Sequence, residues 1–73
     1  MLRKGIVEKI KKKAGFYAPH VTTNISSFAA IPDELLNEIE IGDEVTIYSS
    51  DYLSYGGFCA VVIETPRAKL ENM

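Results

Sequence analysis

The sequence predicts a mainly β fold: a small five-stranded barrel with one short helix between strands 3 and 4. Three features point there. Residues 41–48 and 58–64 are apolar, β-branched runs flanking a turn-rich stretch that ends in Gly56-Gly57, the pattern of a hairpin with a long loop. Upstream, short runs of β-branched and aromatic residues are punctuated by Gly15, Pro19 and Asn24. Between these halves, residues 32–39 carry the clearest helical signature of the chain.

At 73 residues the chain is one domain, and a domain of that size buries only about 60–65% of its unfolded surface. A composition of 47% hydrophobic and 25% charged residues fits a folded domain and argues against disorder. The single cysteine, Cys59, excludes an internal disulfide, so stability must come from the core or from a partner. There is no apolar run of membrane-spanning length and no signal-peptide pattern, so the expected compartment is cytoplasmic, with no membrane partner. Asn24-Ile25-Ser26 matches a glycosylation sequon, which counts for little without an export signal. Charge is unevenly placed: residues 1–13 hold six basic residues against one acid, +5, and residues 14–73 hold two against nine, −7. Two differently charged surfaces are implied, one of them attractive to phosphates, unless the split merely steadies the fold.

Taken in order, residues 5–13 read in two ways. As a strand, Ile6 and Ile10 share a face and Val7 takes the other; as a helix, Leu2, Ile6, Ile10 and Ala14 recur every fourth residue. The strand is preferred because the downstream pattern needs a first strand, with Lys11-Lys12-Lys13 as its basic end or a turn. Residues 15–23 suggest a second strand, with Phe16, Ala18 and His20 on one face, Tyr17 and Val21 on the other, and Pro19 at an edge or bulge. Residues 24–31 make a short third strand. Pro32 suits a first helical position, Asp33 and Glu34 the positive end of a helix dipole, and Leu35, Leu36 and Ile39 one core-plugging side. Gly42-Asp43 turns the chain into the hairpin, where Val45 and Ile47 face inward. Thr65-Pro66 stops the last strand, leaving a barrel domain over 1–66 and a tail over 67–73. Three strands, a helix and two strands is the order of the OB fold, whose strand 2–3 face commonly binds oligonucleotides.

Gly42-Asp43-Glu44-Val45-Thr46-Ile47, with Ser50-Asp51-Tyr52-Leu53-Ser54 behind it and Gly5-Ile6-Val7 far upstream, resembles bacterial translation initiation factor one, an OB-fold family bound to the small ribosomal subunit. The N-terminal half is similar to cold-shock domains, which bind single-stranded RNA and DNA: Lys4-Gly5-Ile6-Val7 resembles their opening strand, Lys13-Ala14-Gly15-Phe16 the start of their first RNA-binding motif, and Ser27-Phe28-Ala29-Ala30-Ile31 the end of the second. The chain departs from that pattern where Ala18 replaces the motif's second aromatic, Ser27 its histidine and Lys9 the first-strand tryptophan. These resemblances imply single-stranded RNA or DNA, ribosomal RNA included, as partner.

Single-stranded nucleic acid is held by cations along its backbone and aromatic faces under its bases. The candidate interface is therefore Lys9, Lys11, Lys12 and Lys13 for phosphates, with Phe16, Phe28 and His20 for bases. For each there is a structural alternative: core phenylalanines, a structural histidine, a solvated charge run. Tyr48, Tyr52 and Tyr55 around the hairpin loop are candidates for contact with a protein partner, or are simply loop packing. Cys59 alternates with Val61 and Ile63 and reads as a buried small hydrophobe. One histidine and one cysteine without ligand spacing offer no metal site, and no nucleophile–base arrangement or phosphate-cradling loop is present; a non-catalytic protein without cofactor is expected.

Two other functions stay open. Ile31-Pro32-Asp33-Glu34-Leu35-Leu36 followed by Gly42-Asp43-Glu44-Val45 also resembles the core of AbrB-type dimeric DNA-binding regulators, which calls for an obligate dimer with basic residues near 24–31, where none occur. An assembly module would instead use the acidic helix and the tyrosine loop against another protein.

Overall fold

The computed structural model describes residues 1–12 and 15–70. Over them the chain forms five strands: β1 (Leu2–Lys11), β2 (His20–Thr23), β3 (Ala29–Ala30), β4 (Glu44–Ser49) and β5 (Ala60–Glu64). They close into a barrel in the order β1-β2-β3-β5-β4, with all contacts antiparallel except β3 against β5. The closure can be traced residue by residue. Lys11 stands opposite His20, His20 opposite Ala30, Ala30 beside Val61, Val61 opposite Tyr48, and Tyr48 opposite Leu2. Paired residues share a face, so this is one outward row that leaves β1 at position 11 and returns to it at position 2. That offset is the stagger a closed barrel requires.

The interior is built from small and β-branched side chains, as a narrow barrel demands: Val7, Val21, Ala29, Val45, Ile47 and Val62 line it. Ile31, Leu35 and Ile39, from the β3–β4 connection, pack into the same cluster and are 3% exposed or less. β5 is buried on both sides. Val62 faces the interior, while Val61 and Ile63 join Ala30 in a second cluster, covered by Tyr48, Leu53, Phe58 and Leu70. A strand covered on both faces reads as a continuous apolar run, which is what Ala60-Val61-Val62-Ile63 is.

Several expectations are corrected. The first segment is a strand, but a bulge between Val7 and Lys9 shifts its register. Val7 is therefore buried and Ile10 packs on the same core, whereas Ile6 is exposed. The expected helix is a single 3-10 turn, Asp33–Leu35, held by i→i+3 bonds such as Leu35 N–H to the Pro32 carbonyl at 2.9 Å. Eight residues are too few to nucleate an α-helix unaided, no side chain caps this one, and no basic residue lies in its last turn. The second strand begins only at His20, since residues 15–19 form a turn and its exit; Pro19 still serves the ladder, its carbonyl accepting from Ile31 N–H at 2.8 Å. The third strand shrinks to two residues. Cys59 is exposed, because it lies on a bend before β5 begins. Residues 67–70, from the expected tail, fold back on β5: Leu70 N–H donates to the Ile63 carbonyl at 2.8 Å, and Arg67 pairs with Asp43 and Glu40. Residues 71–73 lie outside the described residues. Among the described residues no helix is long and apolar enough to cross a membrane.

Candidate nucleic-acid interface

Four rings meet where β2 and β3 leave the barrel between the β1–β2 and β4–β5 loops. Each is positioned by a distinct local device. His20 opens β2, and its Nδ1 lies 3.0 Å from the Ala18 carbonyl; that oxygen can only accept, so Nδ1 is the donor and the contact fixes the ring's orientation. Phe28 ends the β2–β3 loop, whose shape is dictated by Thr22-Thr23-Asn24. Thr23 Oγ1 accepts from Ser26 N–H at 3.0 Å, Thr22 Oγ1 donates to the Ser27 carbonyl at 2.9 Å, and Asn24 Oδ1 accepts from Ile6 N–H at 2.7 Å. Phe58 follows a two-residue turn nested inside the long loop. Tyr55 and Phe58 exchange both backbone hydrogen bonds at 3.0 Å around Gly56 and Gly57, whose φ values of 59° and 89° suit a type I′ turn. Tyr17 comes from the β1–β2 loop, which the turn approaches closely: a Cβ on Gly56 would stand 2.4 Å from that of Ala18.

The result is a ring cluster with His20 as its floor. The His20 ring centroid is 5.0 Å from Phe58 and 5.4 Å, edge-on, from Phe28. Phe28 and Phe58 stack at 6.2 Å with planes 29° apart, and Tyr17 lies 6.3 Å from Phe58. His20 is buried, but Tyr17 is 66% and Phe28 57% exposed, so the cluster offers ring faces to solvent. Tyr17, His20, Phe28 and Phe58 line an apolar recess of about 310 Å³. On its other side Phe28 borders a second, more polar recess of about 410 Å³, which Ser49, Ser50, Asp51 and Cys59 also line.

The sequence candidates fall unevenly around this cluster. His20 and Phe28 belong to it. Phe16 is fully exposed in the turn before Tyr17 and makes no ring contact among the described residues. Tyr17 and Phe58 are the members that sequence reasoning misses. Strand alternation assigns Tyr17 to the opposite face, but Tyr17 is an isolated bridge residue separated from β2 by Ala18 and Pro19 and does not obey it, and Phe58 is absorbed into the hairpin; the Gly-Gly before Phe58 is the signal that could have found it. Lys9 and Lys11 face outward opposite Thr22 and His20, and Lys12 is exposed just beyond. Antiparallel partners lie about 5 Å apart at Cα, so Lys11 flanks the cluster directly. Lys13 lies outside the described residues. Tyr48, Tyr52 and Tyr55 differ in their surroundings. Tyr48 packs on the outer apolar cluster, Tyr52 is 98% exposed on a turn, and Tyr55 stands at the base of the Gly-Gly turn.

Asp33 and Glu34 lie close enough to Tyr55 to reinforce the main effect of burial, and together they raise its hydroxyl pKa above the ordinary tyrosine value. Arg67 sits among Glu38, Glu40 and Asp43, donating to Asp43 and to the Glu38 carbonyl and lying 3.3 Å from Glu40. Its hydrogen bond to Asp43 is the chief reason its pKa rises further. Arg67 thus serves the fold and is not free for a ligand. No group of three or more metal-ligating side chains occurs among the described residues. No protein-family model and no curated protein matches this chain.

Proposed function

We propose that this chain is an OB-fold-like module that binds single-stranded RNA or DNA, stacking bases on Phe28, Phe58 and Tyr17 and placing phosphates against Lys9, Lys11 and Lys12. The closed ring of five strands and the short helical turn between β3 and β4 fit the OB arrangement suggested by the element order. One observation carries the function: exposed ring faces are gathered into a concave surface on the β2–β3 side, bordered by a lysine-bearing strand. That pairing of stacking faces with cations is how single strands are held without catalysis. The likeness to initiation factor one and cold-shock domains makes RNA, ribosomal RNA among it, a natural ligand to try.

Fluorescence anisotropy with labelled single-stranded deca-nucleotides, RNA and DNA, tests the proposal. Saturable binding is expected at low salt, with log K falling against log salt at a slope of about −2 for three phosphate contacts. No binding at roughly 100 μM protein, where weak non-specific contacts already register, overturns it. Should the protein instead co-purify with a protein partner after nuclease treatment, the acidic side is the surface in use.

A further inference from the structure

Phe28 belongs to two recesses, one more polar than the other, and they differ in what they can recognise. On one side lie rings only, Tyr17, His20 and Phe58, with lysines beyond them on β1. On the other lie Ser26, Ser49, Ser50 and the Asp51 carboxylate, beside Cys59, Ala60 and Met1, whose terminal ammonium donates to the Ser49 carbonyl at 2.9 Å. The hydroxyl of Ser50 already accepts from Tyr52 N–H and that of Ser26 donates to the Phe28 carbonyl. The Asp51 side chain is exposed, and among the described residues nothing hydrogen-bonds to it or forms an ion pair with it.

Building on the nucleic-acid reading above, we propose that two consecutive bases straddle Phe28, and that the base in the polar recess is selected for an exocyclic amino group donating to Asp51. Electrostatics orders the strand. A carboxylate repels phosphate, and the lysines attract it, so the backbone runs along the β1–β2 side while base edges point across Phe28 toward Asp51. A carboxylate accepts the amino hydrogens of cytosine but finds only a carbonyl acceptor at the same position of thymine or uracil. Those bases leave the carboxylate facing an acceptor, a like-polarity contact that costs affinity once the stacked base covers Asp51.

Cytosine against thymine or uracil is the discriminating comparison, because all are single rings that stack comparably. Hexamers of dC and dT, and of rC and rU, are titrated by anisotropy against the full chain and against Asp51→Asn. Asp51 lies on an exposed turn, and unchanged circular dichroism and melting establish that the variant folds. The amide introduced in Asp51→Asn can donate to a carbonyl as well as accept. The wild type is expected to bind each cytosine hexamer about 5-fold more tightly, near the lower end of what one good base contact discriminates, and the ratio is expected to fall to about 1 in Asp51→Asn. Equal wild-type affinities, or a preference that survives Asp51→Asn, overturn the inference while leaving single-strand binding standing. Absence of binding to every hexamer overturns both. Preferences of the same size in the DNA and RNA pairs place selection at the base edge, whereas a preference confined to one sugar contradicts the Asp51 contact.

Discussion

Truncating Phe28 to alanine separates a stacking role from a packing role. The ring is more than half exposed and touches His20 and Phe58 only at centroid distances of 5.4 and 6.2 Å. Aromatic pairs of this kind contribute about 0.5–1.5 kcal/mol beyond their buried area, and little further area is lost from a side chain this exposed. Phe28→Ala is therefore expected to destabilise the fold by about 1 kcal/mol, a fall in Tm of roughly 4–8 °C for a domain of this length. Base–aromatic stacking is worth about 1–3 kcal/mol per base, and Phe28 borders both recesses. The expected loss of affinity for a single-stranded decamer is thus about 5- to 150-fold, read by anisotropy at a temperature where both proteins are folded. Phe16→Ala is the matched control: its ring is fully exposed outside the cluster, and a change below about 2-fold is expected because no partner ring positions it. A folded Phe28→Ala with unchanged affinity, or a larger loss in Phe16→Ala, refutes the assignment of the ring cluster as the binding surface.

Other perturbations probe the supporting structure. Replacing Lys9 and Lys11 with glutamine should flatten the salt slope by about 1.4, at roughly 0.7 per phosphate contact, with no shift in a thermal melt. Gly56→Ala places a Cβ 2.4 Å from that of Ala18 at a φ of +59°; strain and overpacking of this kind cost about 1–3 kcal/mol, and denaturant titration should report a lowered midpoint. Because the folded pKa of Tyr55 is raised, the protein holds that proton more tightly than the unfolded chain does. The associated stability is present below the ordinary tyrosine pKa of about 10 and is lost as pH rises through the folded value, so Tyr55→Phe should flatten the alkaline limb of a Tm-against-pH curve above about pH 10. The effect is small because Tyr55 is 38% exposed and well screened.

The strand content was legible because burial follows alternation where strands are regular: Val45 and Ile47 face inward as their spacing says. Alternation failed where the backbone departs from regularity. The bulge after Val7 puts Val7 and Ile10 on one face, which a strict period of two cannot do. Tyr17 is an isolated bridge residue between a turn and β2 rather than part of a regular strand, and it joins the side assigned to its neighbours. The helical segment shows the right apolar side, with Leu35 and Ile39 buried, but its short length and the lack of a side-chain cap leave one 3-10 turn. Half of the ring cluster was visible as His20 and Phe28, residues on or beside strands. The other half depends on the close approach of the Gly56 turn to Ala18, a tertiary contact between loops that no local pattern encodes.

The most direct test of the central claim is a backbone-amide NMR titration of the intact chain with a short single-stranded oligonucleotide. Binding on the ring cluster predicts shifts concentrated at Tyr17, His20, Phe28, Phe58 and the neighbouring Lys9 and Lys11, with Glu38, Glu40 and Asp43 of the acidic side around Arg67 unmoved. Shifts confined to that acidic side, or no shifts at saturating oligonucleotide, contradict it.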